Sequence, residues 1–397
     1  MSRLWDKGSP LDERVLRYTA GEDHRLDERL VAYDVRASVA HAEMLNAQGL
    51  IEDDDLRAIR DGLHTLGESH AAGEWHIGLA DEDVHTALER RLTESIGEAG
   101  GRVHLGRSRN DQVLAALRLY LKDAVAGLAA HAGALADALD ALAGRQGDVE
   151  LPGYTHLQQA MPSSVALWAG GFASMLRDDA EGLVAAGRRA DQNPLGSAAG
   201  YGTPGLPLDR RKTADALGFA TVQEPVTAVQ LSRGKAESSL LFEITLTLQD
   251  TARLAADLLL FYTQEFAYVS LPEAYTTGSS IMPQKRNPDV LELARAAPAT
   301  AQACLDECLM ITAKLTSGYH RDLQRLKPPL FRGIDLADDT LVIMAALLEG
   351  VTFRPENIRL DPGVQAAGEA NRLVTEEGLP FREAYRRIAK KFAGPGG

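Results

Sequence analysis

A serine-rich loop, Thr276 to Asp289, offers several kinds of chemical group within a few residues. Ser279 supplies a hydroxyl, Lys285 a positive charge and Asn287 a neutral hydrogen-bond donor. The sequence contains neither the Gly-x-Ser-x-Gly pattern of serine nucleophiles nor the Gly-Lys-Ser/Thr pattern of phosphate-binding loops, so those two chemistries have no support. The residue types alone also fit an ordinary Ser/Gly turn that precedes a capped helix.

A second loop, Gly101 to Gln112, gathers three arginines together with Ser108 and Asn110 at a predicted helix N-terminus. Unpaired backbone N–H groups and the helix dipole favour anions at such a position. Guanidinium groups bind carboxylates through two parallel hydrogen bonds. The cluster therefore predicts a carboxylate-binding site, although a solvated charged helix cap would have the same composition.

Two further segments carry polar groups. His156 lies in the loop Leu151 to Gln158 and can exchange protons near neutral pH, although a single histidine is more often structural. The segment Tyr319 to Lys327 offers a phenol, an amide and an ammonium group, and taken alone it is typical of a solvated helical segment.

The two cysteines lie four residues apart, at Cys304 and Cys308, within an apolar helical pattern. No histidine accompanies them, so we interpret them as small core residues rather than zinc ligands. A chain with only two cysteines has no disulfide framework and fits a reducing compartment.

Long helices must position these loops. Apolar residues recur from Leu114 to Leu142 with a mean spacing of 3.5 residues, which predicts a helix over Ser108 to Arg145, capped by Ser108. Such a helix would be about 55 Å long. Similar patterns predict four more helices, which run through Leu241 to Tyr262, from Pro162 to Val184, from Asn287 toward Leu315 with a kink at Pro298, and from Leu330 to Leu348.

The scarcity of alternating β-branched runs predicts an all-α fold built on a long central helical bundle. A helix of about 55 Å is longer than a compact chain of this size readily covers, so we expect packing between subunits in a homo-oligomer. Along the 397 residues, we predict an N-terminal, mostly helical domain over 1–107, a central bundle over 108–348 and a short C-terminal helical region over 349–397.

Composition excludes several classes of protein. The chain has 42 Lys+Arg against 56 Asp+Glu, a net charge of −14, which argues against a general nucleic-acid binder. The N-terminal segment has no apolar core, so we expect no signal peptide. The stretch Leu151 to Leu176 contains no Asp, Glu, Lys or Arg, but it is too polar to span a bilayer. We therefore expect a cytoplasmic protein with no membrane partner.

The motifs together resemble a known family. Gly278 to Asp289 resembles the signature loop of the fumarase/aspartase superfamily. Gly106 to Gln112, and Tyr319 to Gln324 together with Lys327, resemble the argininosuccinate lyase family within it. The segments Asp81–Thr86 and Thr155-His156 agree, and the resemblance extends from about Leu4 to about Phe392.

The resemblance implies a homotetramer whose long central helices form one bundle, with each site built by loops of three subunits. It implies the reversible β-elimination of argininosuccinate to L-arginine and fumarate, a step of arginine biosynthesis, with no cofactor and no metal. Such a reaction removes a weakly acidic C–H proton next to a carboxylate, so it needs a base, cationic and hydrogen-bonding groups around that carboxylate, and an acid for the leaving nitrogen.

The resemblance also assigns roles. It makes Ser279 the base, ionised by its surroundings when the loop closes, and makes Lys285 and Asn287 the groups that hold the charged carboxylate. His156 would transfer a proton or support the acid, with Glu292 as its carboxylate partner. The substrate-binding positions it implies are Thr19, Asp23, His85, Ser108, Arg109, Asn110, Thr155, Tyr319, Gln324 and Lys327.

The chain departs from the family pattern in places. Leu105 replaces a common Thr, Arg286 a usual Lys and His320 a usual Asn, Pro298 is unexpected within a helix, and the chain ends soon after Phe392. Two alternatives stay open. One is another fumarate-releasing lyase, such as adenylosuccinate lyase, fumarase or aspartase. The other is a non-catalytic, crystallin-like structural protein, which the presence of all matched catalytic residues disfavours.

Overall fold

A computed structural model describes residues 12–392. The first residues of the predicted N-terminal domain, including the start of the family resemblance at Leu4, lie outside the described residues, as does the end of the predicted C-terminal region. Helices make up most of the described chain. They are α1 (Glu13–Ala20), α2 (Asp23–Leu26), α3 (Val31–Ala47), α4 (Asp53–Ala71), α5 (Val84–Ile96), α6 (Glu98–Arg102), α7 (Arg109–Gln146), α8 (Val165–Gly187), α9 (Arg210–Leu217), α10 (Thr227–Leu231), α11 (Lys235–Tyr262), α12 (Asp289–Thr312), α13 (Lys327–Gly350), α14 (Ala366–Glu377) and α15 (Phe381–Phe392).

Strands are short and pair two by two. They are β1 (Glu150–Thr155), β2 (Gln158–Ser164), β3 (Gln192–Asn193), β4 (Thr221–Val222), β5 (Val269–Ser270), β6 (Thr277–Gly278), β7 (Arg286–Asn287) and β8 (Thr352–Phe353). The pairs β1–β2, β5–β8 and β6–β7 are antiparallel, and β3–β4 is parallel. Short 3-10 helices occupy Asp27–Leu30, Glu273–Tyr275, Arg321–Leu326, Pro355–Asn357 and Pro362–Gln365. The prediction of an all-α fold is confirmed.

The longest helix follows the predicted apolar spacing closely. α7 spans 38 residues from Arg109, one residue after the predicted cap. The Ser108 hydroxyl accepts a hydrogen bond from the backbone N–H of Asn110 at 3.4 Å, as a capping residue does. The leucines of the spacing, among them Leu117, Leu128 and Leu139, are at most 3% exposed. Their burial explains why a helix of this length is stable.

Two predicted helix boundaries are wrong. The helix expected from Pro162 begins at Val165. The helix expected to begin at Asn287-Pro288, with Asn287 as its cap, and to run toward Leu315 spans Asp289–Thr312, so it begins one residue after the predicted first helical position. The first begins later because residues up to Ser164 belong to the β1–β2 hairpin, which the sequence suggested only as a connection. The second begins later because Asn287 pairs in β7 before the helix starts.

The chain divides into two compact units. Unit 1 comprises residues 12–129, Glu181–Thr245 and Ala299–Leu336, and unit 2 comprises Ala130–Ala180, Leu246–Pro298 and residues 337–392. One apolar cluster of unit 1 packs α3, α7 and α9 through residues that include Ala37, Leu119, Leu195 and Phe219. The three-part division along the chain stays a prediction.

Unit 2 is centred on aromatic side chains. The Trp168 ring packs at 5.6–5.8 Å from the rings of Phe172, Phe261 and Phe353, and its indole N–H donates to Asp257 at 2.9 Å. This cluster joins α8, α11 and β8, so it fixes the helices on which the loops of unit 2 are mounted.

The last two helices of unit 2, α14 and α15, are connected by ion pairs. Lys391 contacts Glu369 at 2.7 Å, and Arg387 contacts Glu377 at 2.9 Å. Because both pairs lie near the surface, each contributes about 1 kcal/mol or less. Among residues 12–392, none of the helices combines the length and the apolar character that a bilayer-spanning segment requires.

Candidate active site

A polar cavity of about 130 Å³ in unit 1 brings together most of the predicted substrate-binding residues. It lies where α5, the start of α7 and the segment leading into α13 converge. Seven of the ten predicted residues line it, and the complete lining is Asp23, Asp83, His85, Arg109, Asn110, Val113, Arg233, Tyr319, Arg321, Gln324 and Lys327. These residues are separated by up to 304 positions in the chain, so the fold rather than local sequence assembles the cavity.

Lys327 is anchored by two aspartates. Its ammonium group donates to Asp27 at 2.6 Å and contacts Asp23 at 3.1 Å, and the residue is only 2% exposed. Burial opposes the charge of Lys327, but the carboxylates of Asp27 and Asp23 raise its pKa. Burial also raises the pKa of Asp23 to about 6, against the attraction of Lys327. The ammonium is therefore held charged and fixed in position at the cavity wall.

Two further buried carboxylates fix the side chains of His85 and Arg109. The His85 ring is hydrogen-bonded through Nδ1 to the buried Asp34, and Arg109 forms an ion pair with Asp83. Burial disfavours the imidazolium, but Asp34 and Asp83 raise the pKa of His85. For Asp83, burial likewise opposes the charge, but His85 and Arg109 lower its pKa to about 2. These residues form a charged network that presents both a guanidinium and a carboxylate to the cavity.

Backbone carbonyls of the N-terminal segment accept hydrogen bonds from side chains of the segment that follows Tyr319. The Gln324 amide donates to the carbonyls of Thr19 at 2.9 Å and Ala20 at 3.1 Å. The guanidinium of Arg321 donates to the same Thr19 carbonyl at 2.7 Å. Thr19, one of the predicted substrate-binding residues, thus lies beside the cavity through its backbone, while its hydroxyl donates to the Val15 carbonyl within α1 at 2.8 Å.

The entry into α7 is fixed by a buried carboxylate. Asp111 accepts hydrogen bonds from the backbone N–H groups of Ser108 at 3.0 Å, Gly196 at 3.0 Å and Ala198 at 2.8 Å. It therefore joins the arginine-rich loop to the loop before α9, both in unit 1. Ser108 itself is absent from the cavity lining, whereas its neighbours Arg109 and Asn110 are present.

In unit 2, the predicted catalytic loop is a small hairpin. β6 and β7 pair antiparallel, with Gly278 opposite Arg286, so that residues 279–285 form the loop between them. The Ser279 hydroxyl oxygen accepts hydrogen bonds from the backbone N–H groups of Ile281 at 3.4 Å and Met282 at 3.2 Å. The side chain of Lys285 is exposed in the same loop.

Asn287 closes the base of this hairpin. Its amide donates to the Thr277 hydroxyl at 3.3 Å and to the Gly278 carbonyl at 3.4 Å. The Thr277 hydroxyl in turn donates to Asp289. Glu292 lies one turn into α12 and is exposed. In the structure Asn287 therefore acts on the loop itself, and its predicted contact with a substrate carboxylate stays a prediction.

Thr155 and His156 lie at the tip of the β1–β2 hairpin. His156 and Leu157 have φ values of +52° and +58°, the conformation of a two-residue hairpin turn that matches the twist of its strands. Both Thr155 and His156 are exposed. The imidazole is therefore exposed at the tip of a two-stranded hairpin, whose second strand leads directly into α8.

Unit 2 also contains a wider cavity of about 880 Å³ between the end of α7 and residues 355–360. Its lining includes Arg145, Asp148 and Glu150 but none of the predicted site residues. It has no concentration of groups suited to the predicted chemistry, so the smaller cavity of unit 1 is the better candidate for substrate binding.

Comparison with known proteins identifies the family. A sequence profile described as "Lyase" matches residues 12–302. The argininosuccinate lyase of Sorangium cellulosum is 48% identical over 393 residues, which cover 98% of this chain and 91% of that protein. That of Thermotoga neapolitana is 39% identical over 392 residues, covering 98% of each chain. The chain belongs to the argininosuccinate lyase family. It is thus a carbon–nitrogen lyase of the fumarase/aspartase superfamily, and the predicted family and enzyme class are confirmed.

Solved structures support the fold assignment of this argininosuccinate lyase family member. An EDDS lyase variant with bound fumarate matches with a TM-score of 0.80 at 24% identity, over 96% of this chain and 76% of that one. The class II fumarase of Schistosoma mansoni matches with a TM-score of 0.79 at 18% identity, over 97% and 90% of the two chains. At such identities the likeness concerns the fold alone.

Three charged residues that line the cavity of this argininosuccinate lyase family member were not predicted from the sequence. Asp83 caps α5 by accepting from the Thr86 backbone N–H at 2.9 Å, and Arg321 lies in the segment after Tyr319. Both belong to motifs that resemble the family, but no role at the site was predicted for either residue. Arg233 is 5% exposed just before α11, and no motif in the sequence marks it.

Proposed function

We propose that this argininosuccinate lyase family member catalyses the reversible cleavage of argininosuccinate to L-arginine and fumarate, a step of arginine biosynthesis. Ser279 abstracts a proton from the succinyl part of the substrate. The resulting carbanion places a second negative charge on the adjacent carboxylate, and cationic and N–H groups stabilise it. The proposed mechanism uses side chains alone, without a cofactor or metal.

The charge pattern of the unit 1 cavity carries this proposal. Arg109, Arg233, Arg321 and Lys327 supply cations to its wall, and the carboxylates of Asp23 and Asp83 lie among them. A wall of both signs suits a substrate that has carboxylates together with cationic amino and guanidinium groups. Malate has no cationic group, so this mixed wall favours argininosuccinate over it.

The surroundings of Ser279 support its role as the base. An ordinary serine hydroxyl is far too weak an acid to be ionised near neutral pH. In this chain two backbone N–H groups, those of Ile281 and Met282, point at its oxygen. Hydrogen bonds donated to the charged form of a group favour that form, so these donors would stabilise an alkoxide. Lys285 adds a positive charge within the same loop.

His156, with Glu292 as its carboxylate partner, transfers or supports the proton that the leaving nitrogen takes up as the C–N bond of the substrate breaks and fumarate forms. His156 and Glu292 are both exposed within one chain, and an exposed imidazole or carboxylate loses the advantage that a water-free site gives to electrostatic stabilisation. We therefore include in the proposal a homotetramer in which these groups and the residues of the cavity come from different subunits. Exposed apolar residues on long helices, such as Leu167 and Met175 of α8, supply surface suited to subunit packing.

Cytoplasmic localisation is part of the same proposal. Both cysteines are buried and free, which suits a reducing compartment. The three-part domain division, with the central bundle over 108–348, and the substrate-binding role of Thr155 also belong to this proposal.

Fumarate release tests the function. The purified chain would be given argininosuccinate, adenylosuccinate, malate and aspartate in parallel, and fumarate would be followed by its absorbance. Turnover of argininosuccinate is expected. Turnover of only one of the other three substrates would assign the chain to another branch of the superfamily. No turnover at all would favour a crystallin-like structural protein.

The matched pair Ser279→Ala and Ser280→Ala tests the base. Ser280 is the exposed neighbour in the same loop, so its replacement controls for loop disturbance. We expect Ser279→Ala to lower kcat by several orders of magnitude with substrate binding largely kept, and Ser280→Ala to have a small effect. If the two variants were equally active, Ser279 would not be the base.

A further inference from the structure

One cluster of metal-ligating side chains in unit 1 lies outside the cavity lining. Glu28 belongs to the 3-10 helix Asp27–Leu30, His70 lies in the last turn of α4, and His76 follows six residues later. The Nε2 atom of His70 is 2.5 Å and the Nδ1 atom of His76 is 3.6 Å from the same carboxylate oxygen of Glu28. One potential ligand atom from each of the three residues lies within 4.8 Å of the other two.

Other contacts hold these three side chains in place. The second carboxylate oxygen of Glu28 accepts the backbone N–H of Ile77 at 2.6 Å, so the residue after His76 orients the carboxylate. Arg91 donates to the His76 carbonyl at 3.0 Å, which fixes the backbone of the loop.

The His70 ring is supported from one side. The indole of Trp75 packs on it with ring centroids 4.8 Å apart. That indole is itself fixed, because its N–H donates to the Leu66 carbonyl at 3.0 Å and the Arg91 guanidinium lies 4.3 Å from its centroid. Ring packing on His70 and the backbone hydrogen bond to Glu28 therefore hold two of the three side chains in position.

We propose that Glu28, His70 and His76 bind one divalent transition-metal ion of the zinc class. Two imidazoles and one carboxylate are a ligand set that Zn²⁺ accepts, with a fourth position left for water. Bond lengths of about 2.0–2.2 Å place tetrahedral ligand atoms about 3.4 Å apart. The Glu28–His76 separation of 3.6 Å is close to this value.

The other two separations must each change by roughly 1 Å, since the ligand atoms of His70 and His76 lie within 4.8 Å of each other and a tetrahedral site needs about 3.4 Å. The Glu28–His70 separation of 2.5 Å must open by about 1 Å as the ion takes the place of the shared proton. The His76 side chain is 75% exposed, so it can turn toward the ion, and its exposure gives the ion a path from solvent. Glu28 and His70 are 29% and 17% exposed, which makes them the fixed side of the site.

Titration of the full-length protein with Zn²⁺ tests the proposal. A chelating indicator dye would compete for the ion, and equilibrium dialysis would give the stoichiometry. One ion per chain is expected. His76→Gln should weaken binding by at least about 10- to 100-fold, because it removes a ligand and the loss of an outer contact alone typically costs that much. His64→Gln, which replaces an exposed histidine of the same helix as His70, should leave the affinity unchanged.

Fluorescence gives a second readout at the site. Cu²⁺ bound beside His70 should quench the emission of Trp75, and this quenching should be lost in His76→Gln. Because His76 is exposed, this variant is expected to fold and to retain lyase turnover. The proposal would be overturned if the parent bound no Zn²⁺. It would also be overturned if the parent and His76→Gln bound Zn²⁺ with equal affinity.

Discussion

Replacing Asp27 by Asn tests whether the buried charges around Lys327 hold the cavity in shape. Asp27 is fully buried, and its carboxylate accepts from Lys327 at 2.6 Å and from the backbone N–H of Val84 at 3.3 Å. Asn keeps the size of the side chain but removes its charge, and it turns an NH₂ group toward one of these two donors. Removing one partner of a buried ion pair costs about 3–5 kcal/mol.

The structure favours the lower end of that range. Asp23 remains 3.1 Å from the Lys327 ammonium, so the charge keeps one partner. We therefore expect Asp27→Asn to lower the free energy of unfolding by about 3 kcal/mol at neutral pH. It should also lower kcat/KM for argininosuccinate, because the Lys327 ammonium loses the charged partner that fixes it at the cavity wall.

Urea unfolding at one fixed protomer concentration provides the measurement, since assembly itself contributes to apparent stability. Asp335→Asn is the matched control. Asp335 also pairs with a cation, Arg29 at 2.9 Å, but its side chain is 52% exposed, so its loss should cost about 1 kcal/mol or less. If the two variants lost the same stability, the reasoning about the buried pair would be refuted.

Three further predictions concern unit 1. Burial raises the pKa of Asp23 to about 6, so the stability linked to it is present below about pH 4 and is lost as the pH rises through about 6. In urea unfolding, Asp23→Asn should remove up to about 3 kcal/mol of pH dependence between these limits, and an unchanged pH profile would contradict this. Gln324→Ala removes a hydrogen bond to the Thr19 carbonyl, so it should speed amide hydrogen exchange in α1 and lower kcat/KM; protection equal to the parent's would argue against that link. Gly106 has φ +72°, so Gly106→Ala should cost about 1–2 kcal/mol in the same unfolding assay, and a neutral result would show that the loop can adjust.

The helices were predictable from sequence because their apolar spacing is regular and their caps are local. α7 begins one residue after the predicted cap Ser108, and its leucines are buried as their spacing requires. The β1–β2 hairpin was not predictable in this way. Its register sets Pro152 opposite Pro162, and proline is an unusual residue in paired strands, so the sequence favoured a connection.

The cavity was predictable only through motifs. Arg109, Tyr319 and Lys327 stand in segments that resemble the family, and the structure brings them to one cavity. The carboxylates that pair with these cationic side chains could not be predicted. Asp27 is 300 positions from Lys327, and no periodicity or spacing in the sequence connects the two. Long-range charge pairing of this kind becomes visible only in the folded chain.

The central claim is that catalytic groups of unit 2 act on a substrate bound in a unit 1 cavity of another subunit. Hybrid oligomers test it most directly. Ser279→Ala and Arg109→Ala, each expected to be inactive alone, would be dissociated, mixed in equal amounts and reassembled, with subunit exchange verified by native mass spectrometry. If the two residues come from different subunits, random mixing should restore about one quarter of the parent's fumarate-releasing activity. Activity no higher than the sum of the two separate variants, in verified hybrids, would contradict the account.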